Sequence, residues 1–324
     1  MEIPELSNEQ RRQLIDAQQL YASWRPLVVE LASRPRLYWN TAKGVRYLYS
    51  KRAGVPTSLG RETPELLQEK LLHEARGKRL RQIIKPLKAR LEQMAPVNRA
   101  MRIGRLPTLP AKILRMLDDR SLLGQHMIVA GTNALYAYEA AAGVLMTGDL
   151  LATGDADLLW DARQALELAA HGIPKEGLMG LLRTIDESFE AHYGYNATNS
   201  DGYVVDLITP ADKDLPSRIV DGPDIEATPM TGIAWLLDCP RLEQVIVAAD
   251  GLPLRIVTPE PRTFALHKLW LSREPSRQPL KRPRDRSQAL VVAYIAKTYL
   301  GLSFDAKQMT WLPVELRDLI HELR

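Results

Sequence analysis

The sequence has little cysteine and no long apolar run, and both absences narrow the classes of protein to which it can belong. Cys239 is the only cysteine among 324 residues, which excludes an intrachain disulfide and favours a reducing compartment. The longest uninterrupted apolar stretch, residues 289–296, is far too short to cross a bilayer. The N-terminus lacks the basic-then-apolar order of a signal peptide. We therefore expect a cytoplasmic protein with no membrane partner.

Several catalytic signatures are missing as well. No pair among the six histidines has zinc-ligand spacing, and neither a Ser-His-Asp arrangement nor a Walker-type phosphate loop is legible. The composition, 45% hydrophobic and 25% charged, is ordinary for a globular protein. The net charge of +4 is mildly basic, which permits a nucleic-acid partner without requiring one.

The periodicity of the chain changes along its length. Helical spacing predicts a helix over residues 8–34 and another from Thr63, as N-cap, to about Met94, whereas the Tyr- and Lys-rich residues 36–60 predict a short hairpin or loop. Prolines at 107 and 110 mark a boundary before a short helix. The segments that follow are predicted as strand 126–130, helix 133–143, strand 155–160, helix 175–192, strand 202–210, a hairpin around Asp250-Gly251, and helices from Phe264 onward, the last starting near Pro313.

These elements predict a mixed α/β (α+β) fold in three parts. Residues 1–115 form a mainly helical N-terminal region and residues 261–324 a helical C-terminal region. Between them, residues 116–260 form a small α/β core with a mixed sheet. The basic N-terminal region is a candidate for binding a second substrate.

Three acidic residues stand out in the predicted core. Asp155 and Asp157 are one residue apart on a strand, so their side chains point to the same face, and Asp206 interrupts the apolar run of another strand. Carboxylates entering a core are costly unless they are paired or bound to a metal, and Mg²⁺ prefers such oxygen ligands. The alternatives are a turn that uses the Asp pair and an edge strand that exposes Asp206 to water.

A Gly-Thr turn precedes the Asp pair. Gly131 and Thr132 follow a predicted strand and begin a helix, whose first N–H groups can bind a phosphate. Taken alone, the pair is better interpreted as a turn with Thr132 as helix N-cap. Beside the carboxylates it favours a site for two-metal phosphoryl or nucleotidyl transfer.

The order of strand, Gly-containing turn, helix, Asp-x-Asp strand and third acidic strand resembles the polymerase-β-type nucleotidyltransferase superfamily. Within it, the chain looks like a bacterial nucleotidyltransferase-fold family of unassigned substrate, through stretches such as GTNALYAYEAAAGV, ATGDADLL and GYVVDLITP. The turn usually carries Ser or Gly where this chain has Thr132, and the spacing from Gly131 to Asp155 is longer than usual.

The resemblance implies a role for each site residue. Asp155 and Asp157 would hold two Mg²⁺ ions, and Asp206 would share one of them and activate the attacking hydroxyl. Gly131 and Thr132 would hold the triphosphate of the incoming nucleoside triphosphate (NTP), such as ATP. A basic segment, residues 262–286, is either a solvated loop or a source of phosphate-binding cations, of which Lys268 and then Lys281 are the first choices.

Two functions from different classes fit these features. One is a Mg²⁺-dependent enzyme that transfers a nucleotidyl group from an NTP to a hydroxyl on RNA (tRNA, for example), protein or a small molecule; as a toxin it would have an antitoxin-like protein partner. The other is a non-catalytic protein that binds nucleotides or nucleic acid with the same fold. Retention of all three carboxylates favours the enzyme, and dependence on Mg²⁺ separates the two.

Overall fold

The computed structural model describes residues 2–52, 55–164, 177–192, 194–212 and 224–324. Within these residues the α-helices are α1 (Asn8–Ser33), α2 (Pro64–Ala100), α3 (Thr108–Asp119), α4 (Leu135–Ala142), α5 (Gly148–Leu151), α6 (Gly177–Arg183), α7 (Ala234–Asp238), α8 (Pro261–Leu271), α9 (Arg282–Thr298), α10 (Val314–Arg317) and α11 (Ile320–Leu323). The strands are β1 (Arg36–Ala42), β2 (Val45–Arg52), β3 (Val55–Arg61), β4 (Met127–Val129), β5 (Asp155–Trp160), β6 (Glu190–His192), β7 (Asn196–Thr198), β8 (Val204–Pro210), β9 (Thr228–Met230), β10 (Arg241–Val247) and β11 (Pro253–Pro259). The mixed α/β prediction is confirmed.

A mixed sheet lies at the centre of the core. Its described strands follow the order β4-β5-β8-β7-β6, with β9 paired to the far half of β8. Strands β5 and β8 run parallel, whereas β4 and β7 run antiparallel to them. Leu158 of β5 and Leu207 of β8 are buried on one side of the sheet. The residues that precede them, Asp157 and Asp206, therefore point to the other side.

The two long N-terminal helices form a two-helix arm, α1 and α2. Glu30 and Arg76 pair near one end and Gln13 bonds Asn98 near the other, so the helices are antiparallel. A capping box at Ser7 starts α1. The predicted N-cap of α2 is confirmed, since the Thr63 hydroxyl accepts from an N–H in the first turn.

Contacts at the two ends of α2 place the arm between the core and a separate small sheet. Near its C-terminus, the Asn98 side chain donates to the carbonyl of Gly251 in the β10–β11 turn, 2.7 Å away. Gly251 has φ +84°, and an added Cβ would lie 2.2 Å from the carbonyl oxygen of Ala95, so this turn requires glycine. Near the N-terminus of α2, Leu66 lies 3.5 Å from the position of a Cβ on Gly60 in β3.

Some predicted elements differ from the structure. The described part of residues 36–60 lies in an antiparallel sheet of three strands, β1-β2-β3, rather than in a hairpin or loop. The helix predicted over residues 175–192 ends at Arg183, because the Asp186 carboxylate accepts hydrogen bonds from Ser188 and closes a turn before β6. Residues 175 and 176 lie outside the described residues.

Helices α8 and α9 pack together and bring the C-terminal region against the central sheet. Phe264 of α8 contacts Tyr138 of α4 edge-on, with ring centroids 5.2 Å apart. Buried residues of α9, Ala289 and Val292 among them, join the same hydrophobic core. In the described parts of the chain, no helix combines the length and apolarity of a membrane span.

Candidate active site

Strands β5 and β8 bring the three predicted carboxylates together. Asp157 and Asp206 are direct neighbours on these parallel strands, and Asp155 lies on the same face as Asp157. One carboxylate oxygen from each residue lies within 4.8 Å of those of the other two. Strand β8 is flanked by β5 and β7, so Asp206 is not on an edge strand.

The crowding of these carboxylates changes their proton affinity. Burial, followed by the charge of Asp155, raises the pKa of Asp157 from its usual value of 3.8 to about 6, against the opposing effect of Lys268 and others. Burial and Asp155 also raise the pKa of Asp206, although a hydrogen bond with Asn196 partly opposes the change. Without a cation, the folded protein therefore disfavours full ionisation of this cluster.

The turn before the α4 helix approaches the carboxylates so closely that only glycine fits. A Cβ on Gly131 would lie 1.6 Å from Oδ2 of Asp157. Its φ is −83°, so the requirement is one of space rather than of backbone conformation. The backbone N–H of Ala130 donates to the Asp157 carbonyl at 3.1 Å, and the Asn133 amide donates to the Asp155 carbonyl at the same distance. These two hydrogen bonds hold the turn against β5.

Thr132 follows this glycine and is buried against the α9 helix. A short 3₁₀ turn, Thr132–Ala134, precedes α4. The Thr132 hydroxyl accepts from Nη2 of Arg284 at 3.3 Å and from Nε2 of Gln288 at 3.4 Å. Gln288 also donates to the Leu150 carbonyl at 2.8 Å. The C-terminal region therefore fixes the turn that the core supplies.

A cleft of about 470 Å³ opens beside the carboxylates. Among the described residues, its lining includes Asp155 and Asp157 together with the cations Lys268, Arg277, Lys281 and Arg284 and the carboxylate of Asp285. Apart from Asp285 of α9, the charges are segregated: the carboxylates come from the central sheet and the cations from α8, α9 and the segment between them. Such a cleft can accept a metal ion and a polyphosphate side by side.

The two predicted lysines have different surroundings. Nζ of Lys268 is buried and lies 2.9 Å from Oδ1 of Asp285, whose other oxygen pairs with Nε of Arg277 at 2.7 Å. Burial would raise the pKa of Asp285, but Lys268 and Arg277 outweigh burial and lower it. Lys281, in a 3₁₀ turn just before α9, is near enough to lower the pKa of Asp157.

The geometry agrees with a comparison of the sequence with known families. A family model described as nucleotidyltransferase matches residues 109–312, more than half of the chain. The chain belongs to this nucleotidyltransferase family. The match includes the acidic cluster and all four cations that line the cleft, but not the two-helix arm or the β1-β2-β3 sheet. Neither the curated proteins nor the solved structures contain a significant match.

Several polar residues around the cleft of this nucleotidyltransferase were not predicted from its sequence. Gln288 was missed, although its place four residues after Arg284 on a helix puts both on one face. Asn133 and Asn196, which support Asp155 and Asp206, were also missed. Oε1 of Gln288 and Oδ1 of Asn196 are buried without a hydrogen-bond partner among the described residues. Only the fold places these two asparagines beside the carboxylates.

Proposed function

We propose that this protein is an enzyme that transfers a nucleotidyl group from an NTP to a hydroxyl of an acceptor, in a reaction that requires Mg²⁺. One observation carries the proposal: the oxygens of Asp155, Asp157 and Asp206 converge within 4.8 Å at a cleft whose remaining wall carries cations. Membership of the nucleotidyltransferase family supports nucleotidyl transfer in general. The metal, the roles of individual residues and the acceptor are part of the proposal.

The donor set fits a hard divalent cation. It consists of oxygen atoms only, and it brings carboxylates so close that the pKa of Asp157 is raised through burial and through Asp155. A cation between these groups removes that repulsion. Asp155, Asp157 and Asp206 are therefore the residues that would hold Mg²⁺, which when bound supplies positive charge to the reacting phosphate and to the leaving pyrophosphate.

The residues of the chain divide the remaining work. The acceptor oxygen attacks the α-phosphorus, the bond from that phosphorus to the bridging oxygen breaks, and pyrophosphate leaves. Asp206 accepts the hydroxyl proton, because burial and Asp155 raise its pKa and make it a stronger base than an ordinary aspartate. Because Gly131 has no Cβ, its turn lies directly against the Asp157 carboxylate, and the backbone of that turn positions the nucleotide phosphates.

Positive charge on the opposite wall binds the triphosphate. Lys281 is assigned the first phosphate contact because it lines the cleft and acts electrostatically on Asp157 and Asp206. Lys268 contributes its charge from within the ion pair with Asp285, which also orients Arg277. The acceptor is assigned as RNA, of which tRNA is one candidate, on the basis of the basic N-terminal region.

The decisive experiment combines purified protein, Mg²⁺, each α-labelled NTP in turn, and total bacterial RNA. We expect the wild type to incorporate label from at least one NTP and Asp155→Asn to incorporate none above background. Asp201→Asn is the matched control, because this exposed aspartate lies in the turn before β8, outside the cluster. Suppose no label enters RNA, protein or small-molecule acceptors and no NTP binding depends on Mg²⁺. The enzymatic function is then wrong, and a non-catalytic binding protein remains.

A further inference from the structure

The β1-β2-β3 sheet carries a row of aromatic residues on one face. Directly opposite residues of antiparallel strands share a face, and the register pairs Tyr38 with Tyr49 and Asn40 with Tyr47. The rings of Tyr38 and Tyr49 are nearly parallel, with an interplanar angle of 22° and centroids 5.8 Å apart. All three tyrosines remain partly exposed. We call this side of the sheet the tyrosine face.

The opposite side of the sheet is the one that packs against the protein. Leu48, between Tyr47 and Tyr49 in sequence, points the other way and is completely buried. Its β3 partner Gly60 faces Leu66 of α2, so the N-terminal part of that helix covers this side. The tyrosines are therefore not needed to attach the sheet to the arm.

Cations without counter-charges border the tyrosine face. Residues 36–61 contain six Lys or Arg and no Asp or Glu. The register places Arg36 opposite Lys51 at one end of the face and Arg61 opposite Tyr47 towards the other. Within the described chain none of these three cations forms an ion pair. By contrast, Arg46 on the packed side pairs with Glu62 at 2.8 Å.

A polyanion with flat, stackable groups complements such a face. Exposed aromatic rings stack on the bases of single strands, and flanking cations bind the phosphates between those bases. In a duplex the bases are already stacked on one another and cannot reach the rings. Asn40, opposite Tyr47 and two residues from Tyr38 on the same face, offers an amide to which a ribose 2′-hydroxyl can hydrogen-bond.

We propose that the tyrosine face binds single-stranded RNA and holds it as the acceptor. The role of the bound RNA as acceptor rests on the proposed function. The binding itself rests only on the features of the sheet. The family match begins at residue 109, so the tyrosine face lies outside the part of the chain that the family describes.

Binding is tested on the full-length protein by fluorescence anisotropy with a labelled 12-nucleotide single-stranded RNA. The same sequence as DNA and as an RNA duplex provides two further probes. We expect the single-stranded RNA to bind most tightly, and Tyr38→Ala/Tyr49→Ala to weaken its binding by about tenfold or more. Tyr38→Phe/Tyr49→Phe keeps both rings and should stay within about twofold of the wild type. Equal or tighter binding of the DNA or of the duplex would overturn the proposal.

Charge variants distinguish RNA binding at the tyrosine face from nonspecific binding to other basic surfaces of the protein. Arg36→Ala/Lys51→Ala should lower the slope of log affinity against log salt by about 1.4, since each phosphate contact on a single strand contributes about 0.7. Lys85→Ala/Arg90→Ala is the matched control, because these exposed cations of α2 lie beyond the sheet. An equal loss in both variants would overturn the proposal. The charge variants also keep the test valid should the double alanine variant lose its fold, which circular dichroism reveals.

The two proposals can fail separately. Asp155→Asn should bind single-stranded RNA as the wild type does, and loss of binding in this variant would place the RNA at the acidic cluster instead. If RNA accepts label, Tyr38→Ala/Tyr49→Ala should raise the KM for RNA about tenfold and leave the KM for the NTP unchanged. An unchanged KM for RNA would overturn the acceptor role. Binding to the tyrosine face without any transfer would leave the face assigned and the proposed reaction wrong.

Discussion

Replacing Asp157 by asparagine should stabilise the metal-free protein while it removes metal binding. Burial and the nearby Asp155 raise the pKa of Asp157 in the folded state from 3.8 to about 6. At 1.36 kcal/mol for each pKa unit, the charged carboxylate lowers the free energy of unfolding by roughly 2–3 kcal/mol above pH 6. Asparagine has the same size and no charge. The melting temperature in EDTA at pH 7.5 should therefore rise by several degrees.

Two further measurements test the same reasoning. For a carboxyl whose folded-state pKa is raised, the loss of folding stability is complete above the folded-state pKa. For Asp157 this loss disappears as the pH falls from about 6 towards 3.8. The difference between Asp157→Asn and wild type should narrow over that range. Addition of Mg²⁺ should raise the melting temperature of the wild type but not of the variant. A wild type at least as stable as Asp157→Asn in EDTA at pH 7.5, with Asp201→Asn as control, would refute the argument.

Three more substitutions test the turn, the phosphate-binding wall and the buried ion pair. Gly131→Ala should lower transfer by about 100-fold or more, since its Cβ would lie 1.6 Å from a carboxylate oxygen; Gly148→Ala, with open space around it, should have no effect, and equal activities would contradict the assignment. Lys281→Ala should raise the KM for the NTP by about 10- to 100-fold, as expected for loss of a charge-assisted hydrogen bond. Lys297→Ala, at the exposed C-terminal end of the α9 helix that Lys281 precedes, should not change it, and a KM below twice that of wild type for Lys281→Ala would exclude the phosphate contact. Asp285→Ala leaves two cations without their shared carboxylate and should cost about 3 kcal/mol in urea unfolding, a figure that a loss under 1 kcal/mol would contradict.

Local patterns in the sequence were sufficient to single out the three carboxylates that the fold brings together. Period-2 alternation put Asp155 and Asp157 on one face, and burial of the surrounding strand implied that their charge needed a partner. The hairpin at Asp250-Gly251 and the N-cap at Thr63 were predictable for the same reason. Each depends on the chemistry of a few adjacent residues, which the sequence displays directly.

The cationic half of the cleft depends on contacts between distant residues, which local patterns do not contain. Arg284 and Gln288 reach Thr132 across more than 150 residues of sequence. The ion pair between Lys268 and Asp285 likewise exists only because α8 and α9 pack side by side. The three-stranded sheet at residues 36–61 was underestimated because its strands alternate only weakly between apolar and polar residues.

The length of α2 has a consequence for the acceptor that we propose. Leu66, beneath the small sheet, and Asn98, in contact with the core, belong to one helix, so at 1.5 Å per residue roughly 48 Å of helix separates them. The helix therefore holds the small sheet at a distance from the core. A molecule the size of a single sugar or a mononucleotide can occupy one end of the helix at a time, whereas an extended polymer can occupy both. With the acceptor held at the tyrosine face as proposed, this span would favour an extended polymer over a small molecule.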